Sequence, residues 1–99
     1  MSAISAISLS GMNAAQTQLR ASAHNIANLS TPNFRREQVA QEPLANGGVA
    51  ASSAQADQVG HALETDLVGQ LVARNQFLAN FAVFKTSDQL AGSLFRAIG

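Results

Sequence analysis

A helical segment that begins between Ala54 and Glu64 and runs to about Ala97 is apolar on more than one side, and this surplus most narrows what the chain can fold into. Val68, Val72, Ala79, Val83, Leu90 and Leu94 follow one another at four, seven, four, seven and four residues, an eleven-residue repeat. Eleven residues make about three turns, so the stripe stays on one side of a nearly straight helix. Arg74, Lys85 and Arg96 keep the same interval and form a basic edge beside it. At about 100° per residue, Phe77, Phe81, Phe84 and Phe95 lie roughly opposite the stripe, with Leu67, Leu71 and Leu78 on a flank. One partner helix hides one face, and helices apolar all round occur inside larger bodies or membranes. Arg74, Lys85, Asp88 and Arg96 argue against a membrane. The pattern therefore predicts a fold completed by association with other copies or another protein. The plainer alternative is a compact three-element bundle in which the phenylalanines fold back onto the rest of the chain.

A second periodic segment runs from about Ala3 to about Asn28. Met12, Ala15, Leu19, Ala23 and Ile26 alternate steps of three and four and share one stripe. Gln16, Thr17, Arg20, His24 and Asn28 fall outside it. Asn28, Ser30, Thr31 and Pro32 signal the helix end, since proline pushes the residue before it out of the helical region. Between the helices, EQVAQEPLANGGVAASS (Glu37 to Ser53) has small, scattered apolar residues interrupted by Pro43, Asn46, Gly47 and Gly48, which predicts a mobile linker. The expected organisation is all-α, with an amino-terminal helix and turn at 1–36, a flexible linker at 37–62 and a carboxyl-terminal helix at 63–99.

The chain has 99 residues, enough for one domain. Six Lys plus Arg balance six Asp plus Glu, so no strong field attracts nucleic acid or an anionic membrane. Charged residues make up 12%, about half the usual share, and the Ala, Ser, Gln and Asn that replace them suit surfaces meeting other protein. Without cysteine there is no disulfide framework, thiolate metal site or cysteine nucleophile. The opening residues MSAISAISLSGMNAA lack the charged and apolar regions of a cleaved secretory signal, and no stretch approaches a membrane span.

Catalytic and cofactor sites are not expected. Asp57, His61 and Glu64 stand at i, i+4 and i+7, which on one helical face could hold a divalent metal weakly. The same spacing equally describes the acidic start of a helix, and no metal site is assigned. His24, on the polar side of the first helix, suits a hydrogen-bonding interface residue. No glycine-flanked elbow activates a serine, and Gly47 and Gly48 lack the spacing and lysine of a phosphate loop. Arg35 and Arg36 form the one basic pair, of the kind normally left solvated.

The stretch SGMNAAQTQLRASAHNIANLSTPNFRR, Ser10 to Arg36, resembles the amino-terminal signature of bacterial flagellar axial proteins, the basal-body rod and hook group, through Asn25, Ile26, Ala27, Asn28, Thr31, Phe34 and Arg35. Residues Asp66 to Ile98 resemble the same group's terminal helix through Ala79, Asn80, Val83, Lys85, Thr86, Asp88, Leu90, Gly92 and Leu94. Asn33 stands where that group commonly has glycine, tolerable because asparagine accepts left-handed backbone. His24 replaces a usual asparagine, and the region between the motifs is only a linker where most members insert at least one outer β-rich domain, which implies a short member without that domain.

The resemblance implies that the two helices pair as an antiparallel, coiled-coil-like hairpin in the inner layer of a helical tube. It also implies partners among other copies and other axial proteins, export through the flagellar type III apparatus without a cleaved signal, and residence in the periplasm-spanning basal body. The expected role is a rod-like subunit acting by self-assembly in motility. In it Met12, Leu19 and Ile26 pack on Val68, Val72, Val83, Leu90 and Leu94, while Phe77, Phe81, Phe84 and Phe95 meet neighbouring subunits. The alternative is a small adaptor or regulator of the export machinery that does not polymerise.

Overall fold

The computed structural model describes residues 3–98 and places, in chain order, helix α1 (Ala3–Ala27), strands β1 (Glu37–Pro43) and β2 (Val49–Gln55), and helix α2 (Leu63–Ile98). Met1, Ser2 and Gly99, the outermost residues of the two expected helical segments, lie outside the described residues.

Helix α1 is rich in alanine and serine, and its buried positions form two stripes. Ser5, Ser8, Met12, Ala15, Ser22 and Asn25 repeat at three to four residues, apart from one longer step, and face α2. Ala14 and Ala21, one heptad apart, lie under the β-strands. The helix stops where the sequence signals that it should. The Asn28 N–H still reaches the Asn25 carbonyl (3.3 Å), the Thr31 N–H reaches that of Asn28 (3.0 Å), and Asn33 takes a left-handed φ of 58°.

The linker expectation is overturned, and with it the all-α class. Residues 37–55 form an antiparallel hairpin, with Glu37 opposite Gln55 and Pro43 opposite Val49. Its loop explains why Asn-Gly-Gly is a structural signal here and not a mark of mobility. The Gly47 N–H donates to the Leu44 carbonyl (3.0 Å), the Leu44 N–H donates to that of Gly48 (2.8 Å), and Gly47 has φ 91°. This is a three-residue hairpin loop whose last residue needs left-handed backbone, which glycine adopts without strain. Glu37 and Val39 on β1 and Val49 and Ala51 on β2 alternate as the half-buried positions, so one face lies against α1. A two-stranded ribbon is marginal alone, and the α1 surface completes it.

Helices α1 and α2 run antiparallel. The Ser5 and Ser87 hydroxyls are 3.0 Å apart at one end, and Asn25 meets Asp66 at the other. Between them the approach is close: a Cβ on Gly11 would come within 2.6 Å of the Asn80 side chain, and one on Gly69 within 3.2 Å of Gln18 and Ser22. The covered seam of α2 is Asp66, Gln70, Ala73, Phe77, Asn80, Phe84 and Ser87, alternating four and three residues, a period suited to helix pairing. The molecule is elongated, 62 × 24 × 14 Å.

Candidate functional site

Two features stand out: a polar clamp at the closed end of the hairpin, and an uncovered apolar length on α2.

The clamp begins with Asn25 in the last turns of α1. Its amide pairs with both backbone groups of one residue: Oδ1 accepts from the Glu37 N–H (2.7 Å), and Nδ2 donates to the Glu37 carbonyl (3.0 Å). Nδ2 also donates to Asp66 Oδ1 (3.0 Å). Asp66, only 3% exposed, lies in the first turns of α2, where a carboxylate is favoured by the helix dipole. Arg36 closes the group through Nε to Oδ2 (3.2 Å) and Nη2 to Oδ1 (2.5 Å). Hydrogen bonding to Asp66 raises the Arg36 pKa above its ordinary value, against a smaller lowering by burial. A raised basic pKa adds stability that is fully present below the unfolded value and lost only as pH climbs through the folded one. For arginine both values lie far above neutrality, so this contribution holds across the usual pH range.

The clamp thus ties the end of α1, the start of β1 and the start of α2 to one another. The turn residues reinforce it. Thr31 Oγ1 lies 2.9 Å from Asn28 Oδ1, Asn28 Nδ2 donates to the His24 carbonyl (2.8 Å), and Arg35 Nε donates to the Ala56 carbonyl (2.6 Å). The Ala56 N–H reaches Arg36 and the Gly60 N–H reaches Phe34, carrying the ribbon's pairing beyond its strands. Phe34 sits between two imidazoles, His24 at 5.4 Å and His61 at 5.9 Å. Because α2 starts at Leu63, Asp57 and His61 precede it, and the helical face that would have grouped them with Glu64 does not form. Among the described residues no cluster suited to a metal occurs, and no helix is long and apolar enough to cross a membrane.

The second feature is the outside of α2. Val68 (61% exposed), Val72, Val83, Leu90 and Leu94 (64%) lie off the covered seam and stay largely exposed, so the structure does not bury them on Met12, Leu19 and Ile26. Met12 is buried, Leu19 and Ile26 are half-buried, and Leu19 shares a cleft with Leu67 and Leu71. The phenylalanines divide. Phe77 and Phe84 are half-buried on the seam, whereas Phe81 (48%) and Phe95 (78%) are exposed. The physical reason is size: the Ala, Ser and Gly positions of α1 leave room for rings, so the buried face of α2 is the one that interdigitates, not the most aliphatic one. Past Ser87 the helix outruns the described start of α1, and Ile4, Val83, Leu90 and Leu94 line an open apolar cleft of about 550 Å³. Of the remaining signature residues, Asn80 bonds the Gln76 carbonyl (2.8 Å) beside Gly11, Ala27 ends α1, and Thr86 and Asp88 are exposed.

Sequence reasoning missed Arg36, Glu37 and Asp66 as a unit. The available signal was a carboxylate on an otherwise uncharged seam, which needs a cation once that seam is closed.

The flagella basal body rod protein family matches residues 6–35, covering nearly all of α1 and the turn through Arg35. Over this segment, somewhat less than a third of the chain, the protein is similar to the flagellar basal-body rod family. That family is structural, not enzymatic, and is associated with the flagellar basal body. No curated protein is significantly similar to the chain. Within the rod-family segment, Asn25 is the residue through which the signature reaches the rest of the fold: its partners Glu37 and Asp66 both lie outside the match.

Proposed function

We propose that this protein is a rod-like axial subunit of the flagellar basal body that acts by helical self-assembly, after export through the flagellar type III apparatus. The observation that carries the proposal is the uncovered apolar length of α2. A helix of 36 residues is about 54 Å long at about 1.5 Å per residue. It carries exposed Leu67, Val68, Leu71, Val72, Leu78, Phe81, Val83, Leu90, Leu94, Phe95 and Ile98. Full burial of one such side chain contributes roughly 1.5–3 kcal/mol, so covering several drives association strongly. Because these residues spread over both flanks and the outer side of α2, neighbours on more than one side are needed to cover them. Head-to-tail contacts of that kind propagate as filaments when their rotation does not close a ring. In this reading Phe81 and Phe95 meet neighbouring subunits together with the valine and leucine stripe, and Phe77 and Phe84 set the spacing of the helix pair.

The test is Phe81→Ser in cells. The expected result is normal export with loss of incorporation into detergent-resistant basal bodies and loss of swimming. Normal swimming would overturn the proposal, and wild-type protein confined to the cytosol would favour the non-polymerising adaptor.

A further inference from the structure

The two edges of the β-ribbon are not alike. In an antiparallel pair, alternate residues point both backbone groups at the partner strand and the rest point both outward. The Ala56-to-Arg36 and Leu44-to-Gly48 bonds fix the phase, so Glu37, Val39, Gln41 and Pro43 face outward on β1, and Val49, Ala51, Ser53 and Gln55 on β2. On β1 this edge is blunted at both ends: Asn25 occupies both groups of Glu37, and Pro43 has no N–H. On β2 only the Val49 N–H has a partner, Ser10 Oγ at 3.1 Å, while the outward groups of Ala51, Ser53 and Gln55 have none among the described residues. Strand β2, VAASSAQ, carries no charge and no proline, the usual devices against edge pairing.

We infer that the open edge of β2 pairs with β2 of a second copy of this chain, joining two ribbons into a four-stranded antiparallel sheet. The occupant follows from the register. The outward residues of β2 are symmetric about Ser52, so a two-fold axis there sets Ala51 against the partner's Ser53 and Val49 against the partner's Gln55, each with its hydrogen-bonding groups aimed at the other. Strand β1 offers less, since with Glu37 occupied and Pro43 lacking an N–H only Val39 and Gln41 keep both outward groups open. Strands about 4.8 Å apart set the two ribbon centres about 10 Å apart, which is also the spacing at which two α1 helices pack side by side. The contact is isologous and closes at two copies. It uses none of the α2 surface and does not depend on the rod-subunit proposal.

The chain has no cysteine, so single-cysteine variants of the purified full-length protein report the register directly. At the axis, Ser52 faces its own copy at a Cα separation of about 4.5 Å, within disulfide range. Under mild oxidation Ser52→Cys should form a linked dimer, while Ala50→Cys and Ala54→Cys should each stay monomeric alone but link to each other when mixed. Ala51→Pro removes an outward N–H without touching the ribbon's own ladder and should abolish the Ser52→Cys link, with helical circular dichroism retained. If Ala51→Pro loses its helix signal, Ser53→Pro replaces it. A folded Ser52→Cys protein that stays monomeric, or Ala50→Cys that links to itself as readily, overturns the inference.

Discussion

Helices α1 and α2 pair along their lengths yet are built on opposite plans. Helix α1 is made of small residues and is covered on two sides, by α2 and by the β-ribbon, so side chains as short as Ser8, Ala15 and Ser22 are buried. Helix α2 carries the large apolar residues, yet only Asp66 and Ala73 are buried on it. Size, not apolarity, decides which helix is enclosed: small side chains permit close approach on two faces, whereas the bulk on α2 remains for whatever surrounds the molecule. The lesson is that the interior of this subunit is held mainly by fit and by polar pairing, and its apolar driving force points outward.

This contrast can be broken most severely at the clamp. Asn25→Ala should cost about 3 kcal/mol, since it orphans both backbone groups of Glu37 and one bond to Asp66, at roughly 1–3 kcal/mol for each unsatisfied buried group. Urea unfolding of the purified chain measures it. Asp66→Asn should cost less, about 2 kcal/mol: losing one partner of a buried ion pair costs roughly 3–5 kcal/mol, but the Arg36 side chain is 18% exposed and the amide still accepts a hydrogen bond. The same denaturation series ranks the two.

In the middle of the seam, Ala73→Leu tests whether the helix pair depends on small residues. With Ala73 wholly buried, added bulk should destabilise by about 1–3 kcal/mol, although leucine is a good helix former and more apolar. A thermal melt that rose instead would show that the seam has slack. The smallest effect belongs to the outside of α2. Val68→Ser should leave monomer stability within about 0.5 kcal/mol, as surface changes usually do, while reducing incorporation into basal bodies. Substantial destabilisation there would mean that the stripe packs within the subunit after all.

Particular residues show how far the sequence could be read. The two helices were legible from their periods, the end of α1 from Asn28 to Pro32, and the left-handed Asn33 from the resemblance, which commonly has glycine at that position. The hairpin was not, because β1 and β2 contain few β-branched residues, and alternation among alanine, serine and glutamine carries little contrast. The seam of α2 was misjudged for a related reason: two repeats coexist on that helix, and the more aliphatic eleven-residue one outshone the Asp66–Ala73–Asn80–Ser87 heptad that actually meets α1. Within the clamp, Asn25 was marked by its signature, but Glu37 takes part only through its backbone, which leaves no trace in side-chain pattern.

The amino-acid sequence alone determined that two long helices form, that α1 stops ahead of the turn at Asn28 to Pro32, and that α2 has more apolar surface than one partner can cover. These are properties of local backbone preference and composition. Tertiary structure decided which face of α2 meets α1, that residues 37–55 fold as a ribbon, and that Arg36 is bound to Asp66 and not to water. Such outcomes depend on how closely two surfaces approach and on which buried polar groups find partners, quantities set by distant residues together and carried by none of them singly.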